Sequence, residues 1–163
     1  MRWPTCGMLV FVALTAAAPA FGQSADWKQC ADVNNKDSFA RSLAACNRIL
    51  KDKREASNHP MVLRNRCGIY YTHDDYDKAL ADCNLAARQE PQSKIVYDRR
   101  GLIWYVKKNY DRAIADFDQA IRIDPNYARA LYHRGTAKRD KDDIAGGDAD
   151  IARAKEIDPD IDK

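Results

Sequence analysis

The amino-acid sequence predicts an all-α protein, a solenoid of antiparallel helix pairs, and three observations carry the prediction. Pro91, Pro125 and Pro159 recur at an interval of 34 residues, and even spacing of a helix-ending residue marks a repeat array. Between the prolines the apolar residues sit three, four or seven apart, the spacing of a helix with one buried stripe. The 163 residues include only seven Gly and six Pro, which disfavours an all-β fold with many tight turns. A formal charge of +3, from 27 Lys and Arg against 24 Asp and Glu, leaves no strong electrostatic footprint for nucleic acid.

The first element is a targeting segment. After Arg2, residues 3–25 carry no charge until Asp26. Their apolar core, Met8 to Ala20, has the length of a signal-peptide core and is short for a membrane span. Ala20 and Gly22 supply small residues at the two positions a signal peptidase reads, so residues 1–22 are expected to be removed before Gln23. Cys6 precedes the apolar core without a small-residue box, so no lipid anchor is expected. The expectation is a periplasmic or secreted chain with no membrane span after cleavage.

Residues 23–59 read as a degenerate first hairpin with its turn at Asn34 to Ser38. Phe39, Ser42, Leu43 and Cys46 fall where Tyr76, Ala79, Leu80 and Cys83 fall later. Three units follow, 60–93, 94–127 and 128–161. Shifting the chain by 34 aligns Arg66, Arg100 and Arg134, then Cys67, Gly101 and Gly135. The same shift aligns Ala79, Ala113 and Gly147, and Cys83, Phe117 and Ile151. The polar runs His73-Asp74-Asp75, Lys107-Lys108-Asn109 and Lys141-Asp142-Asp143 interrupt each stripe and make turns. Such short turns join antiparallel helices. Small residues at the crossing let helices approach, and Trp104, Tyr110 and Phe117 fill the space between them. In the last unit Asp148 replaces Leu80 and Ile114, and Lys155 replaces Ala87 and Ile121. A terminal repeat needs that polar outer face, so the unit is expected to cap itself and the chain to be a monomer.

The run Tyr97, Gly101, Trp104, Tyr110, Ala113, Phe117, Ala120, Pro125 resembles the tetratricopeptide repeat (TPR) at every consensus column. The resemblance implies a right-handed α-solenoid whose first helices line a concave groove for a peptide or partner protein. Mapped onto this chain, the groove residues are Arg64, Asn65, Gly68, Tyr71, Asp98, Leu102, Tyr105, Tyr132, Thr136 and Arg139. Tyr and Arg are the types that most often dominate interface energy. Short exported bacterial proteins of this family carry runs like Ala81 to Asn84 and Ala44 to Asn47, which the resemblance extends to a partner in the cell envelope. One family binding mode, a clamp for C-terminal carboxylates, needs Lys and Asn on the first helix, Asn on the next, and Lys and Arg on the third. Here those positions hold Trp27, Ala31, Asn65, Asp98 and Leu102, and only Asn65 fits.

Four cysteines follow the leader, an even number in an oxidising compartment. Cys30 to Cys46 and Cys67 to Cys83 each span 16 residues, and turns centred near 38 and 75 bring each pair face to face. Those two intra-hairpin disulfides are expected, with Cys46–Cys67 as the competing pair and free buried thiols as the third possibility. No catalytic motif is present: no His-Glu-x-x-His, Gly-x-Ser-x-Gly, phosphate-binding Gly-rich loop or Cys-x-x-Cys. His73-Asp74-Asp75 reads as a solvated turn, and the aspartates from Asp140 to Asp150 lack calcium-loop spacing. No metal, cofactor or catalytic residue is expected. The reading is a protein-interaction module, and the alternative is a thiol-based redox sensor or enzyme using Cys67 and Cys83.

Overall fold

A computed structural model describes residues 25–33, 35 and 38–163. The expected leader 1–22 and its cleavage point lie outside the described residues, as does part of the Asn34–Ser38 turn. Among the described residues eight α-helices follow in order: α1 Ala25–Ala31, α2 Phe39–Lys51, α3 His59–Tyr71, α4 Tyr76–Gln89, α5 Lys94–Val106, α6 Tyr110–Ile123, α7 Ala128–Arg139 and α8 Ile144–Ile157. No strand occurs among the described residues. A 3-10 segment, Lys53–Asn58, joins α2 to α3. Each helix packs on its hairpin partner and then on the helix that follows. The odd-numbered helices also touch in series, α1 on α3, α3 on α5 and α5 on α7, which makes them one wall of the array.

The local chemistry of the turns repeats with the sequence. Asp75, Asn109 and Asp143 cap α4, α6 and α8 by accepting from the backbone N–H groups of Lys78, Arg112 and Gly146, which satisfies a donor the helix itself cannot. One residue earlier, Asp74, Lys108 and Asp142 take φ of 60°, 58° and 70°. That left-handed conformation crowds the Cβ of an L-residue, and Asp tolerates it better than Lys. Lys108→Gly is therefore expected to stabilise the chain by about 0.5–1 kcal/mol, after the gain is reduced by glycine's freer unfolded state. A urea midpoint that fails to rise would contradict it.

The helix crossings use three solutions at one position. Within the hairpins, Cys30 faces Cys46 and Cys67 faces Cys83, with Cα atoms 4.9 and 5.6 Å apart and sulfurs at bonding distance. In the next hairpin the equivalent pair is Gly101 under Phe117, where a Cβ on residue 101 would lie 2.6 Å from the ring. In the last it is Gly135, where a Cβ would lie 2.7 Å from both the Gly147 carbonyl and Ile151. A disulfide, a glycine–phenylalanine contact and a glycine-to-backbone approach all fill the same volume. The Cys46–Cys67 pairing is not the one adopted.

Beside each crossing runs a rung that the sequence reading left unexplained. Arg66 grips Asp82 with Nε and Nη2, both at 2.7 Å, and its Nη1 donates to Asn47 at 2.5 Å. Arg100 repeats this with Asp116 at 2.8 and 2.6 Å and with Asn84 at 3.0 Å. Arg134 repeats it with Asp150 at 2.7 and 2.5 Å and with Asp118 at 2.7 Å. Each guanidinium thus ties its own hairpin and the preceding one together, in the two-pronged geometry that only arginine offers. Lys138, in the column of Tyr70 and Trp104, also joins Asp150 at 2.8 Å.

Asp148 and Lys155 on α8 are exposed, as are Ile144 and Ile157. No helix among the described residues is long and apolar enough to cross a membrane.

Candidate partner-binding groove

The groove is built by α3, α5 and α7, whose equivalent positions recur every 34 residues. Gly68, Leu102 and Thr136 form one row, and Asn65, Arg99 and His133 another. Two cavities lie along these rows. The first, of about 200 Å³, is floored by Gly68 and Leu102 and walled by Tyr71, Thr72 and Val33, with Arg99 and Arg129 at its charged side. The second, of about 130 Å³, lies between Leu102, Tyr105, Tyr132, His133 and Thr136. Leu102 belongs to both.

Several groups are held by their neighbours rather than offered to solvent. Asp98 is fully buried. It accepts from His133 Nδ1 at 2.7 Å and from the Tyr127 hydroxyl at 3.3 Å, and it lies 3.5 Å from Arg129. Because a carboxylate has no proton to give, the proton of that pair belongs on His133 Nδ1. Burial, followed by the charge of Asp98, pushes the Tyr127 hydroxyl up to about 12. Tyr105 donates to Asp140 at 2.5 Å; that bond, with burial, raises its hydroxyl to about 12. Burial raises Tyr71 as well. Both groove tyrosines rest on the first aromatic of the next helix, Tyr71 against Tyr76 at 6.0 Å and Tyr105 against Tyr110 at 5.7 Å. At any ordinary pH these hydroxyls stay protonated and can donate.

Of the groove residues expected from sequence, Tyr71, Leu102, Tyr105, Tyr132 and Thr136 come together in the two cavities. Arg64 stands at their edge, its carbonyl accepting from Arg99 at 3.1 Å. Asn65 is half-buried on α3 and lines neither cavity. Two further expected residues line neither cavity. Asp98 does not face a partner, because its carboxylate closes the buried network between α5 and α7. Arg139 turns toward α8, where the absent side chain of Gly147 leaves room for its stem and Asp148 lies 3.4 Å from its guanidinium. Sequence reading missed Arg99, Arg129, His133, Thr72 and Val33. The signal for two of them was present, since Arg99 and His133 repeat the column of Asn65.

The carboxylate-clamp positions fare no better in three dimensions than in sequence, since Trp27 is packed in the core and Asp98 is buried. The turn carboxylates Asp74 and Asp75 and the helical Asp150 are likewise engaged: Asp74 accepts from the Tyr76 hydroxyl, Asp75 pairs with Lys78, and Asp150 pairs with Arg134 and Lys138. Among the described residues no cluster of three His, Cys, Asp or Glu could hold a metal ion. The four cysteines among the described residues, Cys30, Cys46, Cys67 and Cys83, are completely buried, whereas a reactive thiol needs access and thiolate character.

Comparison with known proteins agrees with this geometry. Residues 101–138 match the family described as TPR repeat. No curated protein matches the chain. Among solved structures, the first TPR of Spaghetti (RPAP3) bound to HSP90 peptide SRMEEVD superposes with a TM-score of 0.62 at 21% identity, covering 63% of this chain and 82% of that one. The Arabidopsis OM64 TPR domain gives 0.62 at 20% identity over 64% and 86%. The first TPR domain of human RPAP3 gives 0.61 at 20% over 63% and 81%. At such identities the likeness speaks for the fold alone. Residues 101–138 match the TPR repeat and the helix pairs superpose on solved TPR domains, so the chain has the fold of a TPR-type helical solenoid.

Proposed function

We propose that the chain is an exported interaction module that holds a segment of a partner protein of the cell envelope in its concave groove. It works as a monomer and catalyses no reaction. The observation that carries this reading is the pair of adjoining cavities on α3, α5 and α7, lined by tyrosines and arginines and joined at Leu102. Side chains of that kind, set on rigid helices, supply large contact area at low entropic cost. The same fold holds a short peptide in one of the similar structures. Export is supported by the uncharged leader with its small-residue cleavage site and by cysteines paired within hairpins.

The test is capture from an envelope extract with the wild-type chain and with a Tyr71→Ala, Tyr105→Ala variant. The variant is expected to lose the partner while its helical circular dichroism persists. Capture that survives in the variant would overturn the groove reading. If such capture also disappeared on reduction under conditions where the helices persist, the redox alternative at Cys67 and Cys83 would gain. The complete burial of both sulfurs weighs against that alternative, because thiol–disulfide exchange needs an attacking thiolate to reach them.

A further inference from the structure

The even-numbered helices form the other wall of the array, and no two of them touch. Three of them repeat one surface stripe at positions i, i+3, i+7 and i+10, which a helix gathers on a single face. The stripe reads Arg41, Ala44, Arg48, Lys51 on α2, then Lys78, Ala81, Leu85, Arg88 on α4, then Arg112, Ala115, Gln119, Arg122 on α6. All are exposed except Ala44 and Gln119, which are half-buried. Each stripe starts and ends on a cation, and its two ends lie about 15 Å apart along the helix. On α8 the same positions hold Gly146, Ala149, Arg153 and Glu156, so neither cation row continues into the last hairpin.

Two rows of positive charge thus cross three hairpins, and the chain neutralises little of it. Among the described residues no carboxylate forms a salt bridge with Arg41, Lys51, Arg88, Arg112 or Arg122. Arg112 lies over the Trp104 ring at 4.6 Å and Arg122 donates to Gln119, both neutral partners. Lys78 and Arg48 are the paired members, with Asp75 and Asp26. The carboxylates that border the first row, Asp77 and Asp111, are held by Lys107 and Lys141 from the turns of the following hairpins. Between the rows the surface drops to alanine, and Leu85 is the large apolar side chain exposed there. Long cationic stems on either side of small residues make a shallow channel, and an α-helix with its side chains is about 10–12 Å across. Small floor residues let such a helix approach closely.

We propose that this outer face is a second docking surface, and that its occupant is an acidic amphipathic helix of a partner protein. The helix crosses α2, α4 and α6 over Ala44, Ala81 and Ala115, sets an apolar side chain against Leu85, and carries Asp or Glu along both flanks to the two cation rows. A bilayer or a flexible polyanion would need the cations alone; the low apolar floor between two charged rows is what a helix uses. No residue of the stripes lines either groove cavity, so this surface stands apart from the groove reading, and both walls can be occupied at once.

The experiment pans a library built on an alanine-rich helix of about twenty residues, ~30 Å long, randomised along one face. It is first depleted on a variant carrying Arg41→Gln, Arg88→Gln, Arg112→Gln and Arg122→Gln, all at exposed positions, and then selected on the wild-type chain. Expected among the survivors are Asp and Glu on both flanks of a small apolar stripe. The consensus peptide, read by fluorescence anisotropy, should bind the arginine variant about tenfold more weakly, the combined worth of four exposed pairs. Ala81→Phe leaves every charge in place and raises the channel floor, and it should weaken binding too. Amide chemical shifts of the labelled chain should move in α2, α4 and α6. A peptide that binds equally well when a central proline breaks its helix, or that ignores Ala81→Phe, would show simple attraction of charge and overturn the proposal. Absence of survivors would overturn it as well. Sedimentation of the chain with phosphatidylglycerol vesicles, lost in the arginine variant, would in that case assign the face to a membrane. The groove reading stands or falls on Tyr71 and Tyr105 and is untouched by these outcomes.

Discussion

Asp116→Ala is expected to destabilise the chain by about 3 kcal/mol, the lower end of what breaking a buried ion pair costs. The substitution leaves Arg100 without the carboxylate that receives two of its hydrogen bonds. The Asp116 side chain is only 9% exposed and that of Arg100 only 22%, so water can replace little of the lost contact. The remaining bond to Asn84 keeps the loss from being larger. Replacing both partners by apolar residues of similar volume, Arg100→Met with Asp116→Leu, should be far closer to neutral, because no buried charge is stranded. Urea unfolding followed by circular dichroism distinguishes the cases. A loss below about 1 kcal/mol in the single variant would mean that the rung behaves as a surface pair.

The same rung at the end of the array has a pH consequence. Burial acts to raise the Asp150 carboxyl, but the hydrogen bonds from Arg134 and Lys138 outweigh it and hold the group below its ordinary value. A depressed folded-state pKa contributes stability in full above the ordinary carboxylate value near ~4, and that contribution is lost as pH falls through the lowered one. The protection factors of amides in α7 and α8, taken relative to intrinsic exchange at each pH, are therefore expected to fall below about pH 4. In Asp150→Asn the acid dependence of that hairpin should flatten.

Removal of the Cys67–Cys83 crosslink is the second large effect expected, on the order of 3 kcal/mol for a loop of this length in the chain-entropy model. Replacing both residues with alanine adds a packing loss at the crossing, since the equivalent volume in the next hairpin is filled by Phe117. That equivalence yields a sharper test: Cys67→Gly with Cys83→Phe should recover part of the loss without any crosslink. If the glycine–phenylalanine pair is no more stable than the double alanine, the three crossings are not interchangeable. In a solenoid each unit contacts mainly its neighbours, so loosening is expected first in α3 and α4 and less in α7 and α8.

The solenoid, its register and the cysteine pairs were legible because they follow from periodicity. A residue every 34 positions must occupy the same place in each unit, and an interval of 16 across a short turn must bring two positions opposite one another. The ladder lay in that same interval, Arg66 to Asp82, Arg100 to Asp116 and Arg134 to Asp150. The repeat alignment exposes the arginine column, but its partners sit on the other helix among many aspartates that the interval alone does not single out. The cationic cavity was harder still. Asp98 and Arg99 are adjacent in sequence, yet one is sealed between helices and the other lies along the groove over Gly68.

What the chain alone determined, then, was the repeat: which residues are helical, where each helix stops, and which positions meet across a turn. These depend on local propensity and on spacing, which a linear string carries in full. What only the tertiary structure decided was which charges are paired with one another and which have no salt-bridge partner among the described residues. Asp98 looked like a groove residue and became the buried acceptor for His133 and Tyr127; Arg99 drew no notice and became the unpaired charge of the pocket. Electrostatic compensation depends on distance and burial between residues some 30 to 35 positions apart, and sequence order does not encode those distances.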